Sequence, residues 1–339
     1  MTSPDSDQRF HARPELLVAI EGNFAGKDVI SMSQFDRRSL KRLFDVSEQM
    51  ERHPETDFTP ELLKGTGVAL IFAESSTRTS GSFASAVLRL GGSPLESKDF
   101  PRVEDPEFDY VVLDYKSLCR DGIIVMRHPQ EGAVKKAAEV LRSVVPEIVV
   151  PIINAGDGIG EHPTQAMLDM YTLLKHFGRL DGLNGVIAGD LRNGRTLHSL
   201  IRGLACFEGN TVYLLSPSEL KLREEERSHF ATLPINLTEI HDPEEIPKDL
   251  NFWYWTRVQK ERFLNPEEYE AVKDSMVLTW DLLKRRGNRN MIIMHPGPVI
   301  NEVERSRIEQ DHRWIYWEQA GNGLPVRMAL LALVLGKIK

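Results

Sequence analysis

The sequence predicts an α/β fold of two domains, each a parallel β-sheet flanked by helices. Short apolar runs alternate with amphipathic stretches of ten or more residues. The runs are apolar throughout rather than alternating with polar residues, as strands covered on both faces require. The chain has 339 residues, 41% hydrophobic and 27% charged, the composition of a globular protein and enough length for roughly two domains.

Taken in order, residues 1–27 are polar and read as a loosely packed tail. Asp36 to Met50 places Leu40, Leu43, Phe44 and Val46 among charges, an amphipathic helix pattern. Val68 to Ala73 is a buried strand that gives way through Ser76 and Thr77 to a helix carrying Phe83 and Val87. Ile123 to Met126 is a strand and Glu131 to Arg142 a helix. Val144-Val145-Pro146 then breaks the pattern, which puts a hinge at 143–150 before a strand at Ile148 to Ile153. The alternation continues through His162 to Phe177, Gly185 to Asp190, Thr196 to Phe207, Thr211 to Ser216 and a strand at 252–255. The expected domains are therefore 28–150 and 151–323, with an apolar helix at the end, about 324–339, packing back on the first.

A formal net charge of -8 argues against broad nucleic-acid binding, which depends on clustered Lys and Arg. The start Met1-Thr2-Ser3-Pro4 lacks the basic and apolar regions of a secretion signal. No apolar stretch approaches the ~18 residues of a membrane span, so a cytoplasmic location is expected. Cys119 and Cys206 form neither a metal pair nor a disulfide framework by spacing. There is no His-Glu-x-x-His, no zinc-type Cys/His set and no Gly-x-Ser-x-Gly, so no metal or cofactor is expected.

What the chain does offer is a set of polar residues just after its strands, where parallel sheets bind ligands. Ser76-Thr77-Arg78-Thr79 at a helix start would aim hydroxyls, backbone N–H groups and one guanidinium at a single anion. A plain N-cap beside a surface arginine is the structural alternative. Arg127 follows the next strand, and a surface ion pair would account for it equally well. His162-Pro163-Thr164-Gln165 opens a helix with Pro163 where its missing N–H is no loss, and it sets His162 and Gln165 on one face. Gly156, Gly158 and Gly160 lack the Gly-x-Gly-x-x-Gly spacing of a dinucleotide site, which leaves a nicotinamide dehydrogenase with only the α/β pattern in its favour. Arg195 lies in the Gly189 to Thr196 loop, and Arg257 and Gln259 on one side of an extended segment can hold one carboxylate. His295-Pro296-Gly297-Pro298 is a restricted turn able to present carbonyls.

Six ordered motifs, Ser76 to Thr79, Met126 to Gly132, Asn154 to Gln165, Gly189 to Ser199, Thr256 to Arg262 and Ala320 to Gly323, resemble the catalytic chains of the aspartate/ornithine carbamoyltransferase family. The resemblance runs from about Lys27 to Leu335. It implies a first domain for carbamoyl phosphate, a second for the amino-acid acceptor, and homotrimers with active sites shared between subunits. It also implies that Ser76, Thr77, Arg78 and Thr79 hold phosphate and that Arg127, His162 and Gln165 hold the carbamoyl group, with Arg78, Arg127 and His162 catalytic. Arg195, Arg257, Gln259, Gly297 and Pro298 would take the acceptor, and the pattern Arg257-Val258-Gln259 favours L-aspartate in pyrimidine biosynthesis over ornithine. Some relatives pair with a regulatory chain, and 127–132 and 257–262 resemble that subtype. The chain departs from the family at about 92–108, where a lysine-bearing loop normally reaches the neighbouring subunit's site. Here Lys98 is the candidate substitute, in a stretch with three prolines and several acidic residues. Ser80-Gly81 also replaces the family's usual Arg-Leu. Carbamoylation of another amine, or binding of carbamoyl phosphate or a partner chain without turnover, are the competing expectations.

Overall fold

In the computed structural model, residues 17–51, 61–263 and 265–338 are described. The first sheet has the order β2-β1-β3-β4, from β1 (Gly67–Phe72), β2 (Ser93–Ser97), β3 (Ile123–His128) and β4 (Ile152–Asp157), all parallel. The second has the order β7-β6-β5-β8-β9, from β5 (Asn184–Ala188), β6 (Thr211–Leu215), β7 (Asn236–Ile240), β8 (Phe252–Trp255) and β9 (Ile292–Met294), again all parallel. The fold class expected from the sequence is the one observed.

In each sheet the strand order reverses direction once, between β1 and β3 and between β5 and β8. Crevices open at such switch points beyond the carboxyl ends of the strands. Helices α1 (Arg37–Glu51), α2 (Thr77–Arg89), α3 (Phe108–Leu118) and α4 (Ala133–Ser143) cover the first sheet, and α6 (Arg195–Leu204) through α10 (Arg305–Ile308) accompany the second. Two long helices join the halves. α5 (Pro163–Phe177) leads from β4 to the second sheet, and α11 (Tyr316–Val334) returns from it to pack on α1, α2 and α5. One apolar core runs through both helices, with Leu40, Phe44, Met167, Met170, Leu330 and Val334 all in it.

Five sequence expectations need correction. The strand expected at 148–153 lies at 152–157, because Pro151 has no N–H to give a ladder. β4 hydrogen-bonds β3 and belongs to the first sheet. The break between sheets therefore falls beyond it, along α5, and not at 143–150. Residues 17–27, expected to pack loosely, bury Ile20 and Phe24 in the core, and the Gly26 N–H donates to the Val334 carbonyl at 2.8 Å; residues 1–16 lie outside the described part. The last helix begins at Tyr316, eight residues before the expected 324. Finally, the departing stretch is not one loop. Residues 93–97 form edge strand β2, where Pro94 is tolerated. Residues 98–107 are tied down: Phe100 meets Phe108 edge-on at 5.5 Å, and Gln130 Oε1 accepts the Val103 N–H at 2.9 Å.

Candidate active site

A cleft of about 760 Å³ lies between the carboxyl ends of the two sheets. Ser76, Thr77, Arg78, Thr79, Arg127, His162, Gln165, Arg195, Arg257, Gln259, Gly297 and Pro298 all line it. Lys98 does not; it is exposed just past β2.

Helices α2, α5 and α6 begin at this cleft and turn their positive ends toward it. α2 starts after Ser76, whose side chain makes no capping hydrogen bond, so its hydroxyl is not committed to the helix. α5 starts after His162, likewise without a side-chain cap. α6 starts at Arg195, after a turn in which the buried Asp190 carboxylate accepts the Asn193 N–H at 3.0 Å.

One carboxylate joins three of the cationic side chains. Glu74, at the end of β1, contacts Arg127 at 2.8 Å, Arg195 at 2.6 Å and Arg262 at 2.8 Å. Burial pulls the Glu74 carboxyl up, but Arg195 and Arg127 outweigh it and hold the group below the usual carboxylate range. Burial lowers Arg127 to about 9, helped by Arg195. Since Glu74 comes from the first sheet and Arg195 and Arg262 from the second, the carboxylate ties the halves across the cleft. Gly156 makes room for the cluster: at φ +126° it holds a backbone disfavoured for other residues, and a Cβ would lie 3.1 Å from Arg127 Nη1.

Arg78 reaches across to the Tyr316 hydroxyl and lies against Gly297. Gly297 sits at φ +71°, and a Cβ there would overlap the Arg78 guanidinium. Its N–H donates to His295 Nδ1 at 2.8 Å, and His295 Nε2 faces Glu302 at 2.9 Å, which fixes the turn. His162 is buried, and burial followed by Arg127 and Arg195 keeps its pKa well below the usual histidine value, so the ring is neutral. Gln259 donates to the Asn193 carbonyl at 3.0 Å, which pins it beside Arg195's helix.

Several further residues line or brace the cleft. Glu74 lies two residues before Ser76 to Thr79, and nothing local marks it as the partner of three arginines. Arg327 of α11 lines the cleft fully buried; burial lowers its pKa to about 10, and Nη1 donates to Ser82 Oγ at 2.9 Å. No carboxylate stands within ion-pair distance of Arg327 among the described residues. The clue was present in the sequence, because an arginine inside the apolar run 326–335 must find a polar task. Tyr316 and Gln319, also from α11, had no such clue. Among the described residues no group of three or more acidic, His or Cys side chains could hold a metal ion, and no helix is long and apolar enough to cross a membrane.

Comparison with known proteins agrees with this geometry. The aspartate/ornithine carbamoyltransferase carbamoyl-P binding domain matches residues 27–175, and the Asp/Orn binding domain of that family matches 181–334. The aspartate carbamoyltransferase catalytic subunit of Methanopyrus kandleri is 40% identical, covering 93% of this chain and 99% of its own. Multifunctional protein pyr1-3 of Dictyostelium discoideum is 41% identical over 93% of this chain, which spans only 14% of that protein. Among solved structures, the aspartate transcarbamoylase of Trypanosoma cruzi in complex with carbamoyl phosphate and aspartate superposes with a TM-score of 0.79 at 31% identity, covering 94% of this chain and 99% of that one. The two domain matches span nearly all of the described residues, in the order of the two sheets and on either side of the cleft, and the chain belongs to the aspartate/ornithine carbamoyltransferase family.

Proposed function

We propose that the chain transfers the carbamoyl group of carbamoyl phosphate to the α-amino group of L-aspartate, giving N-carbamoyl-L-aspartate and phosphate in de novo pyrimidine biosynthesis. One observation carries the reading: the α2 N-terminus with Arg78, and the neutral His162 with Gln165, share a single cleft with Arg195, Arg257 and Gln259. Groups suited to a phosphate, a carbonyl and two carboxylates thus lie side by side. Relatives named aspartate carbamoyltransferase support the choice of acceptor.

In this reading Ser76, Thr77, Thr79 and Arg78 hold the phosphate through hydroxyls, helix N–H groups and guanidinium. Arg127 and His162 donate to the carbonyl oxygen. With Thr164 Oγ1 at 3.4 Å from His162 Nδ1, a hydroxyl donating there leaves Nε2 as the N–H that faces the substrate. The neutral amine of aspartate attacks the carbonyl carbon, forming the C–N bond and placing negative charge on the oxygen that Arg127 and His162 stabilise. Collapse breaks the bond between the carbamoyl carbon and the bridging oxygen, which stays on phosphorus. Phosphate leaves with the electron pair beside Arg78 and takes the proton released by the amine. Arg195, Arg257 and Gln259 orient the two carboxylates of aspartate, and Gly297 and Pro298 close that side.

The assembly we propose is a homotrimer with shared sites, with Lys98 of one subunit offered to the next. A regulatory chain as an additional partner belongs to the same proposal. The anchoring of residues 98–107 to their own domain through Phe100 and Gln130 favours one alternative, a paralogue that binds carbamoyl phosphate without turnover. Two measurements decide between them: formation of carbamoyl-aspartate from the two substrates, expected and abolished by Arg78→Ala, and calorimetric binding of carbamoyl phosphate. Binding without product at saturating substrate refutes the transferase reading.

A further inference from the structure

The transfer chemistry gives no part to Asp169, a fully buried carboxylate one helical turn beyond Gln165 on α5. Its surroundings contain a directional chain of hydrogen bonds. The backbone N–H of His295 can only donate, and it donates to Gln319 Oε1 at 2.8 Å. The Gln319 carboxamide therefore cannot be reversed, and its Nε2 donates to Asp169 Oδ1 at 2.6 Å. Gln165 Nε2 donates to the same oxygen at 3.0 Å. Tyr254 binds the other carboxylate oxygen at 2.8 Å, so any proton the group carries has its place on the Tyr254 side. With its nitrogen committed to Asp169, the Gln165 carboxamide must turn its oxygen toward the cleft it lines.

We propose that Asp169, itself held by Gln319, is the positioning residue that aims the Gln165 oxygen into the cleft, so that the site selects an acyl phosphate bearing an N–H over one bearing methyl. The proposal rests on the carbamoyl-phosphate reading above. What Gln165 needs from residue 169 is an acceptor and not a charge. Asp169→Asn can keep its oxygen on the two glutamines and turn its NH2 to the Tyr254 oxygen. Asp169→Leu offers no acceptor and frees the Gln165 carboxamide to reverse.

The test is calorimetric binding of carbamoyl phosphate, acetyl phosphate and inorganic phosphate to the full chain and to D169N, D169L and Q319M. Acetyl phosphate matches carbamoyl phosphate in size and charge and lacks only the N–H groups. The wild type is expected to prefer carbamoyl phosphate roughly 10-fold, the worth of a well-placed hydrogen bond. D169N keeps that ratio, D169L brings it to about 1, and Q319M lands between, while inorganic phosphate binds all four within about twofold because α2 and Arg78 are untouched. If D169L fails to fold, Q319M carries the test. An unchanged ratio in D169L or Q319M overturns the inference, and so does a loss in D169N as large as in D169L. A wild type that makes carbamoyl-aspartate but does not discriminate between the two acyl phosphates also overturns it. A wild type that makes no carbamoyl-aspartate and binds neither acyl phosphate overturns the functional reading itself, and the inference with it.

Discussion

Glu74→Gln would remove the carboxylate that touches Arg127, Arg195 and Arg262 while keeping the side chain's shape. The carboxylate makes one contact within its own half, to Arg127 at 2.8 Å, and two across the cleft, to Arg195 at 2.6 Å and Arg262 at 2.8 Å. A hydrogen bond to a charged partner contributes about 1.5–3 kcal/mol, and breaking a buried pair costs about 3–5 kcal/mol. Because the Glu74 side chain is 20% exposed, the two cross-cleft contacts together are discounted to about 2–4 kcal/mol. If closure of the halves assembles the acceptor site, that loss corresponds to roughly 30- to 900-fold in kcat/KM for aspartate. Carbamoyl-phosphate binding, which draws mainly on the first half, should change far less. The sign of the pH dependence follows from the depressed folded value of Glu74. The wild type's stability advantage over the variant is present above the unfolded glutamate value of about 4.3 and is lost as pH falls through the lower folded value. Steady-state kinetics with each substrate varied, together with urea unfolding at neutral and acid pH, measure both effects. A variant whose aspartate kcat/KM stays within about threefold of wild type would refute the cross-cleft role.

Gly297→Ala places a Cβ on the Arg78 guanidinium at a φ of +71°; it should cut kcat by at least about tenfold while costing only about 1–2 kcal/mol of stability, read by rate and melt together. Arg327→Met removes a buried cation with no ion-paired carboxylate among the described residues; inorganic phosphate affinity should fall roughly tenfold while thermal stability holds or rises, and parallel losses would contradict the prediction. Burial raises Asp169 to about 7, so the folded state binds the extra proton and wild-type stability falls as pH rises from about 4 to about 7. The melting temperature of Asp169→Asn minus that of wild type should therefore climb across that window and level off above it.

Ser76 to Thr79 and His162 to Gln165 were legible in the sequence because each is a polar break at a strand-to-helix turn, where local pattern and chemistry coincide. The α/β class was legible for the same reason, since the periodicity of residues 123–177 is local information. What escaped depends on distance. Asp169 and Gln319 are 150 residues apart, and each looks like an ordinary polar residue on its own helix. The N-terminal half of α11 carries Gly321, Gly323 and Pro325, residues that argue against a helix locally and are overridden by packing on α5. The edge strand β2 was hidden by Pro94, and β4 was displaced by Pro151. Pro94 hid a strand that edge pairing with β1 permits, whereas the strand expected across Pro151 begins only after it.

α11 starts where the second sheet ends and finishes beside residue 26, whose N–H meets the Val334 carbonyl at 2.8 Å. A 19-residue helix is about 28 Å long, enough to carry the chain from one half back to the other. The two halves are therefore not separable modules: a fragment cut along α5 would expose the faces of α1 and α2 that α11 covers, and the other fragment would carry an uncovered apolar helix. Complementation between such fragments should need both pieces present while they fold. The same geometry brings residues 26 and 334 to one spot, so the path of the chain from the first half through the second closes on itself, out along α5 and back along α11.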